Sequence, residues 1–319
     1  HRLNQETSMA ALHKLKKLTP ENRIKELECL VEKQGEMIER LRSAKVSLPI
    51  GKRKKDGDPF VRVVCGDTHG DYRDEAACKA FFQDLDILKP AEVVHGGDAI
   101  DCGGFLAQHQ VIGVVPECAI TFEQDVLCAN DFLDKVERYA PGSCKDLLLG
   151  NHDHRIEKAI IKWTMGNHSN AKYLFSMFSP EKVLNLEKRG IRCVKYDQFY
   201  DGMTVRGTIY KDHCAFRHGT RYGENATRQT LNDFGCNIVH FHTHRMIMHS
   251  RETYKGLIAA WSCPCLSVIR PLYGLTDITG WAHGYIIQVV SKKGFITIQV
   301  PIINGVSFLQ PLVTQLNLR

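Results

Sequence analysis

Gly150-Asn151-His152-Asp153 directly follows the apolar run Leu147-Leu148-Leu149, and four other short motifs in the chain share that setting. Gly66-Asp67-Thr68-His69-Gly70 follows Phe60-Val61-Arg62-Val63-Val64-Cys65, and Gly97-Asp98-Ala99-Ile100-Asp101 follows Val93-Val94. His218-Gly219 comes after Ala215-Phe216, and His242-Thr243-His244 after Ile238-Val239. Short apolar runs bounded by Gly and polar turn residues read as buried strands. In open α/β sheets, ligand sites form at the carboxyl ends of such strands. One Asn-His-Asp is ordinary loop polarity and one His-x-His is ordinarily a solvated pair. Five strand ends bearing Asp, His and Asn in this order make a site.

The set Asp67-x-His69, Gly97-Asp98-x-x-Asp101, Gly150-Asn151-His152-Asp153, His218 and His242-x-His244 resembles the signature of the calcineurin-like metallophosphoesterase superfamily over about residues 60 to 250. The resemblance implies an α/β fold, a four-layer α/β/β/α sandwich. It also implies two divalent ions. One would be held by Asp67, His69 and His244 and the other by Asn151, His218 and His242, with Asp98 bridging. Carboxylate, imidazole and amide donors without a thiolate suit Mn²⁺ first, with Fe, Zn²⁺ or Ni²⁺ as alternatives. By the same resemblance a metal-bridging hydroxide is the nucleophile, and His152, paired with Asp101, is the general acid. A carboxylate partner orients an imidazole and favours its protonated form.

Departures from the family narrow the activity. The protein Ser/Thr phosphatases carry Arg where this chain has Cys102 and Leu149, and Glu where it has Asp153, which disfavours protein phosphatase activity. Phe241 replaces the usual Gly before His-x-His. Arg155, Arg217, Arg221 and Arg245 lie beside motifs and are candidate phosphate contacts, since Arg suits bidentate phosphate recognition. The Asp153-His154-Arg155 run resembles phage- and prophage-type members and, more distantly, SbcD-like nucleases. The leading expectation is phosphodiester hydrolysis, with DNA or RNA as substrate. A phosphomonoesterase acting on nucleotides or phosphoproteins is the alternative, and a degenerate scaffold is a third reading.

Outward from the motifs, 319 residues suit one large α/β domain, residues 60–300, with appendages. These are a helical arm over 1–46, a basic linker over 47–59 and a C-terminal tail over 301–319. In the arm, Ile24, Leu27, Val31, Gln34, Ile38 and Leu41 recur at steps of three and four, a short heptad seam that predicts either a homodimer through residues 20–45 or a helix packed on its own domain. Residues 1–58 hold 14 Lys or Arg against 9 Asp or Glu, and the rest 28 against 27, so the net charge of +6 belongs mostly to the arm and linker. A four-residue basic run, Lys52 to Lys55, is able to track phosphates, but the catalytic region has no bulk basic character. Twelve cysteines, several in core-like segments of a long chain, read as reduced thiols rather than a disulfide framework. No run approaches the roughly 18 apolar residues of a membrane span, and a cytoplasmic location is expected.

Between the motifs, helices are expected over 74–88, 122–139, 156–163 and 179–188, with an irregular loop over 102–116. Strand signal dominates from Ile191 onward, including 281–290 and 294–300.

Overall fold

The computed structural model describes residues 57–102, 121–270 and 279–309. The arm, nearly all of the basic linker and the loop after Cys102 lie outside the described residues. Chain order is β1 (Phe60–Cys65), a 3₁₀ turn (Gly70–Tyr72), α1 (Glu75–Leu88), β2 (Glu92–His95), α2 (Phe122–Tyr139), β3 (Cys144–Leu148), α3 (Arg155–Trp163), α4 (His168–Phe178), α5 (Pro180–Val183), β4 (Ile191–Val194), β5 (Thr208–Lys211), β6 (Cys214–Arg217), α6 (Ala226–Phe234), β7 (Ile238–His240), β8 (Ile247–Thr253), β9 (Gly256–Ser262), β10 (Gly284–Ser291), β11 (Gly294–Ile303) and β12 (Val306–Ser307).

All six residues of β1 are buried, as expected of a central strand covered on both faces. It pairs in parallel with β2, which continues in parallel to β3 and β4, while β10 lies antiparallel on its other side. The first sheet runs β12-β11-β10-β1-β2-β3-β4, and the second runs β5-β6-β7-β9-β8. Strand alternation sorts side chains between the layers. Val64, Val94, Leu148, Val194 and Ile286 of the first sheet share a core with Ile209, Phe216, Val239 and Trp261 of the second. Their sequence neighbours point outward. Tyr285 meets Phe81 of α1 at 5.3 Å and donates to Asp84 at 2.7 Å. Ala215, Ile238 and Ala260 pack with Leu231 of α6. Helices therefore flank two facing sheets, giving the expected four layers.

The helix signals were mostly local ones. Asp74 caps α1 by accepting from the Ala77 N–H at 2.8 Å, and Ala77, Phe81, Leu85 and Leu88 form its buried face. Thr121 caps α2 in the same way, through the Gln124 N–H at 3.1 Å. Phe132, Leu133 and Val136 are buried there, while Val126 is only half-buried.

Three expectations need correction. The helix expected over 179–188 is a single turn, Pro180–Val183, because Asn185 takes a left-handed φ of 53° that ends it. The longer helix α4 precedes it and has no buried residue. The strand placed at 281–290 begins only at Gly284. The strand expected over 294–300 runs on to Ile303 and pairs with β12.

Among the described residues no helix is long and apolar enough to cross a membrane. The ten described cysteines are all free.

Candidate metal centre

The loops leaving β1 and β2 are laced together by backbone hydrogen bonds, from Asp67 N–H to Gly97 O at 2.9 Å and from His69 N–H to Asp98 O at 2.9 Å. The β3 loop joins them through Asp153, whose buried carboxylate accepts from Gly150 N–H at 2.8 Å and Ile100 N–H at 3.0 Å. Its third tie is the His152 N–H, which donates to Asp98 Oδ1 at 2.8 Å. Gly150 makes that approach possible, because a Cβ there would lie 2.1 Å from Asp98 Oδ1. Asp67, His69, Asp98, His242 and His244 hold left-handed φ values of 50°, 52°, 49°, 76° and 55°. Such backbone costs on the order of 1–3 kcal/mol per residue and gathers at functional sites. Five of the seven expected ligands carry it.

Phe241 explains its own departure from the family pattern. Its ring is fully buried and lies over Gly96, where a Cβ would sit 2.1 Å from the ring. The space lost in one loop is returned by glycine in another, and His242 still reaches the site.

One ligand atom each from Asp67, His69 and His244 falls within 4.8 Å of the others, as do those of Asp98, His218 and His242, and those of His69, Asp98 and His152. Asp98 Oδ2 lies 3.2 Å from His218 Nε2 and 3.8 Å from His69 Nε2, between the two groups. Asn151 Oδ1 joins the second group at 2.9 Å from His218 Nε2. Asp67 Oδ1 and Asp98 Oδ2 are buried and accept no hydrogen bond. Buried unpartnered carboxylate oxygens, ringed by imidazoles, are what a divalent cation would satisfy. Ring orientation fits too. His218 Nδ1 donates to Gly96 O at 2.8 Å and His69 Nδ1 lies 2.8 Å from Asp101 Oδ1, leaving each Nε2 for the site.

The sequence profile of calcineurin-like phosphoesterases matches residues 61–252. This chain belongs to the calcineurin-like phosphoesterases. No curated protein matches its sequence. Among solved structures it is similar to Vacuolar Protein Sorting 29 from Cryptosporidium parvum, at 12% identity and a TM-score of 0.40 over 78% of this chain and 95% of that one. Wild-type Vps29 from Entamoeba histolytica, solved with Zn²⁺, gives 10% identity and 0.38 over 77% and 95%. GAP50 of Plasmodium gives 13% and 0.33 over 77% and 86%.

Electrostatics in this calcineurin-like phosphoesterase match a cation site. Burial alone would raise the Asp67 carboxyl, but His244 and His218 beside it bring it down to about 2. Burial opposes charge on His218, yet Asp98 raises it to about 9. Burial and the neighbouring His218 lower His242 to about 4. Positive charge is favoured beside these carboxylates, and a cation bound there would compete with protons on the imidazoles.

His152 Nδ1 lies 2.8 Å from Asp101 Oδ1. The same oxygen serves His69, so Asp101 orients both a prospective ligand and a prospective acid. Cys102, at one missing guanidinium's position, donates to His152 O at 3.1 Å, and Leu149, at the other, is buried in the core. Three of the four candidate phosphate contacts are hydrogen-bonded or ion-paired within the protein, whereas Arg217 has a buried Nε without a partner. Arg155 is buried against His152 and Asp101, Arg221 pairs with Asp233 at 2.7 Å, and Arg245 donates to Thr279 O at 3.1 Å. Arg217 lies over the Phe234 ring at 5.9 Å.

Two contributors escaped sequence reasoning. Asp125 in the first turn of α2 accepts from Asp101 N–H at 3.2 Å and Asp71 N–H at 3.3 Å, but in sequence it is an ordinary helix-start acid. Trp281 stands edge-on to His244 at 4.3 Å, and nothing in sequence links the two.

His95 at the end of β2 gives the loops a pH limit. Its Nδ1 accepts from Gly97 N–H at 3.3 Å, next to Asp98, so the ring must stay neutral there. Burial lowers His95 to about 4. A histidine depressed below its unfolded value of about 6.5 contributes stability that is complete above that pH and is lost on the way down to about 4. Chemical denaturation of metal-free protein should show stability falling across that window, with a shallower fall in His95→Gln. Equal slopes would contradict this account.

Proposed function

We propose that this chain is a two-metal phosphodiesterase, with nucleic acid as the leading substrate class and Mn²⁺ as the leading metal. The observation that carries the reading is Asp98: one oxygen is tied to the His152 loop and the other, unpartnered, stands between two ligand groups. Asp67, His69 and His244 would hold one ion, Asn151, His218 and His242 the other, and Asp98 both. Ions bound there would supply positive charge to phosphoryl oxygens and lower the pKa of a water.

The protein's own share is placement and proton supply. His152 is held by Asp101 on the His69 side of the site, where it is positioned to deliver a proton to the departing oxygen. Asp98 Oδ1 fixes the backbone of that same residue. The arginines favour a diester. A monoester carries close to two negative charges near neutral pH, and phosphatases meet them with guanidiniums. Here those two positions are Cys102 and Leu149, and Arg155, Arg221 and Arg245 are engaged within the protein. A diester carries one charge and asks less.

Hydrolysis of bis-p-nitrophenyl phosphate and p-nitrophenyl phosphate with Mn²⁺ tests the reading. The diester is expected to give the higher kcat/KM, and DNA or RNA turnover should then fall steeply as salt rises. Preference for the monoester would overturn the diesterase assignment.

A further inference from the structure

A cleft opens beside the loop after β3, on residues that neither ion nor proton transfer uses. Leu149 and Asp153, on either side of Gly150-Asn151-His152, both line it, so part of its wall is the loop that carries Asn151. The His154 N–H donates to Gly150 O at 3.1 Å, which holds that loop to a single turn. A turn rises only about 5.4 Å, so His154 stays close to Asn151. The His154 and Tyr196 rings stack in the wall, with centroids 5.6 Å apart and planes 20° from parallel. Phe175 lines the cleft too, from α4, the helix that gives no residue to the core. The polar groups are mostly acceptors. Lys195 is paired with Glu181 at 2.8 Å and His154 with Glu157 at 2.9 Å, while Asp197 is exposed. Three carboxylates beside one ammonium repel a phosphate and suit the N–H groups of a heterocycle. The cleft measures about 120 Å³. A closed cavity of about 150 Å³ admits one benzene ring, so an open cleft of this size takes one base and not a base pair.

We propose that this cleft is a subsite for one unpaired nucleobase of the strand being cut, which makes the preferred substrate single-stranded. In a nucleotide one sugar separates base from phosphate, so a phosphate at the metal centre has its flanking base within reach of His154 and Tyr196. Stacking on aromatic rings holds a base of any identity, because every base has a π-face. A base inside a duplex has both faces covered by its neighbours and enters such a cleft only by leaving the stack, at a cost. The inference rests on the nucleic-acid reading of the active site.

The test begins with the full chain, metal-free, titrated with a short single strand carrying 2-aminopurine, whose fluorescence is quenched when it stacks. Quenching is expected, and Tyr196→Ala should weaken binding about fivefold or more, as loss of one base–aromatic stack does. Tyr196→Phe, which keeps the ring, should bind as the wild type does. Excess blunt duplex should not displace the probe. With Mn²⁺, the wild type should cut a single strand with about tenfold or higher kcat/KM than the same sequence in a duplex. A strand of abasic sites on the same backbone should be cut as poorly as the duplex. An unquenched probe overturns the proposal, as does equal turnover of single strand and duplex, and neither result depends on a variant. So does a Tyr196→Ala that slows base-bearing and abasic strands by the same factor, which would make the ring a structural prop. Wild-type protein that hydrolyses bis-p-nitrophenyl phosphate but no nucleic acid would instead defeat the nucleic-acid reading, leaving the metal-free titration to decide the base site.

Discussion

Asp98→Ala is expected to abolish Mn²⁺-dependent diester hydrolysis, lowering kcat/KM by on the order of 10³-fold or more. The bound metal should fall from two ions to one or none by elemental analysis. The size follows from position. Asp98 is 1% exposed, and its Oδ2 is within ligand distance of imidazoles from both groups. Every other ligand belongs to one group, so its loss weakens one ion; Asp98 serves both. The metal-free fold should pay little. Burial and the nearby Asp98 charge raise Asp153 to about 7, so removing Asp98 relieves a repulsion while freeing one backbone N–H, that of His152. Asp98→Asn keeps an acceptor for that N–H but loses the charge, and should fail almost as completely. Two tightly held ions in Asp98→Ala would refute a shared carboxylate.

The strand ends were legible because side-chain chemistry changes abruptly there, although burial does not. Cys65 and Leu148 end the apolar stretches of their strands, and polar residues that follow, such as Asp67 and His69, are buried against other polar groups rather than in the hydrophobic core. The helices after Asp74 and Thr121 were expected from the sequence, and the structure adds the caps that start them, each acting within one turn. What sequence could not show is what depends on distant partners. Phe241 looked like an obstacle until Gly96, far away in the chain, proved to lie beneath its ring. Arg155 read as a phosphate contact because nothing in sequence shows a guanidinium turned back onto the imidazole three residues before it. Asp101 was read as the partner of His152 alone, although its one oxygen is shared with His69. Asp125 had no signal at all, since its role exists only once α2 packs against the two loops it pins.

That shared oxygen decides how His152→Ala should differ from Asp101→Ala. His152→Ala should keep both ions, because neither set of residues assigned to an ion includes it and His69 keeps its bond to Asp101. Turnover should nonetheless fall by about 10²- to 10⁴-fold for a leaving group that needs a proton. The loss should shrink with p-nitrophenolate, which leaves as an anion. Asp101→Ala should do both kinds of damage. It releases the acid and also lets the His69 ring turn, and loss of a carboxylate behind a ligating histidine costs about 10- to 100-fold in metal affinity. Raising Mn²⁺ should therefore recover part of the activity of Asp101→Ala and none of that of His152→Ala. If His152→Ala instead loses metal and is rescued by excess Mn²⁺, His152 is a ligand, and the proton for the leaving oxygen has another source.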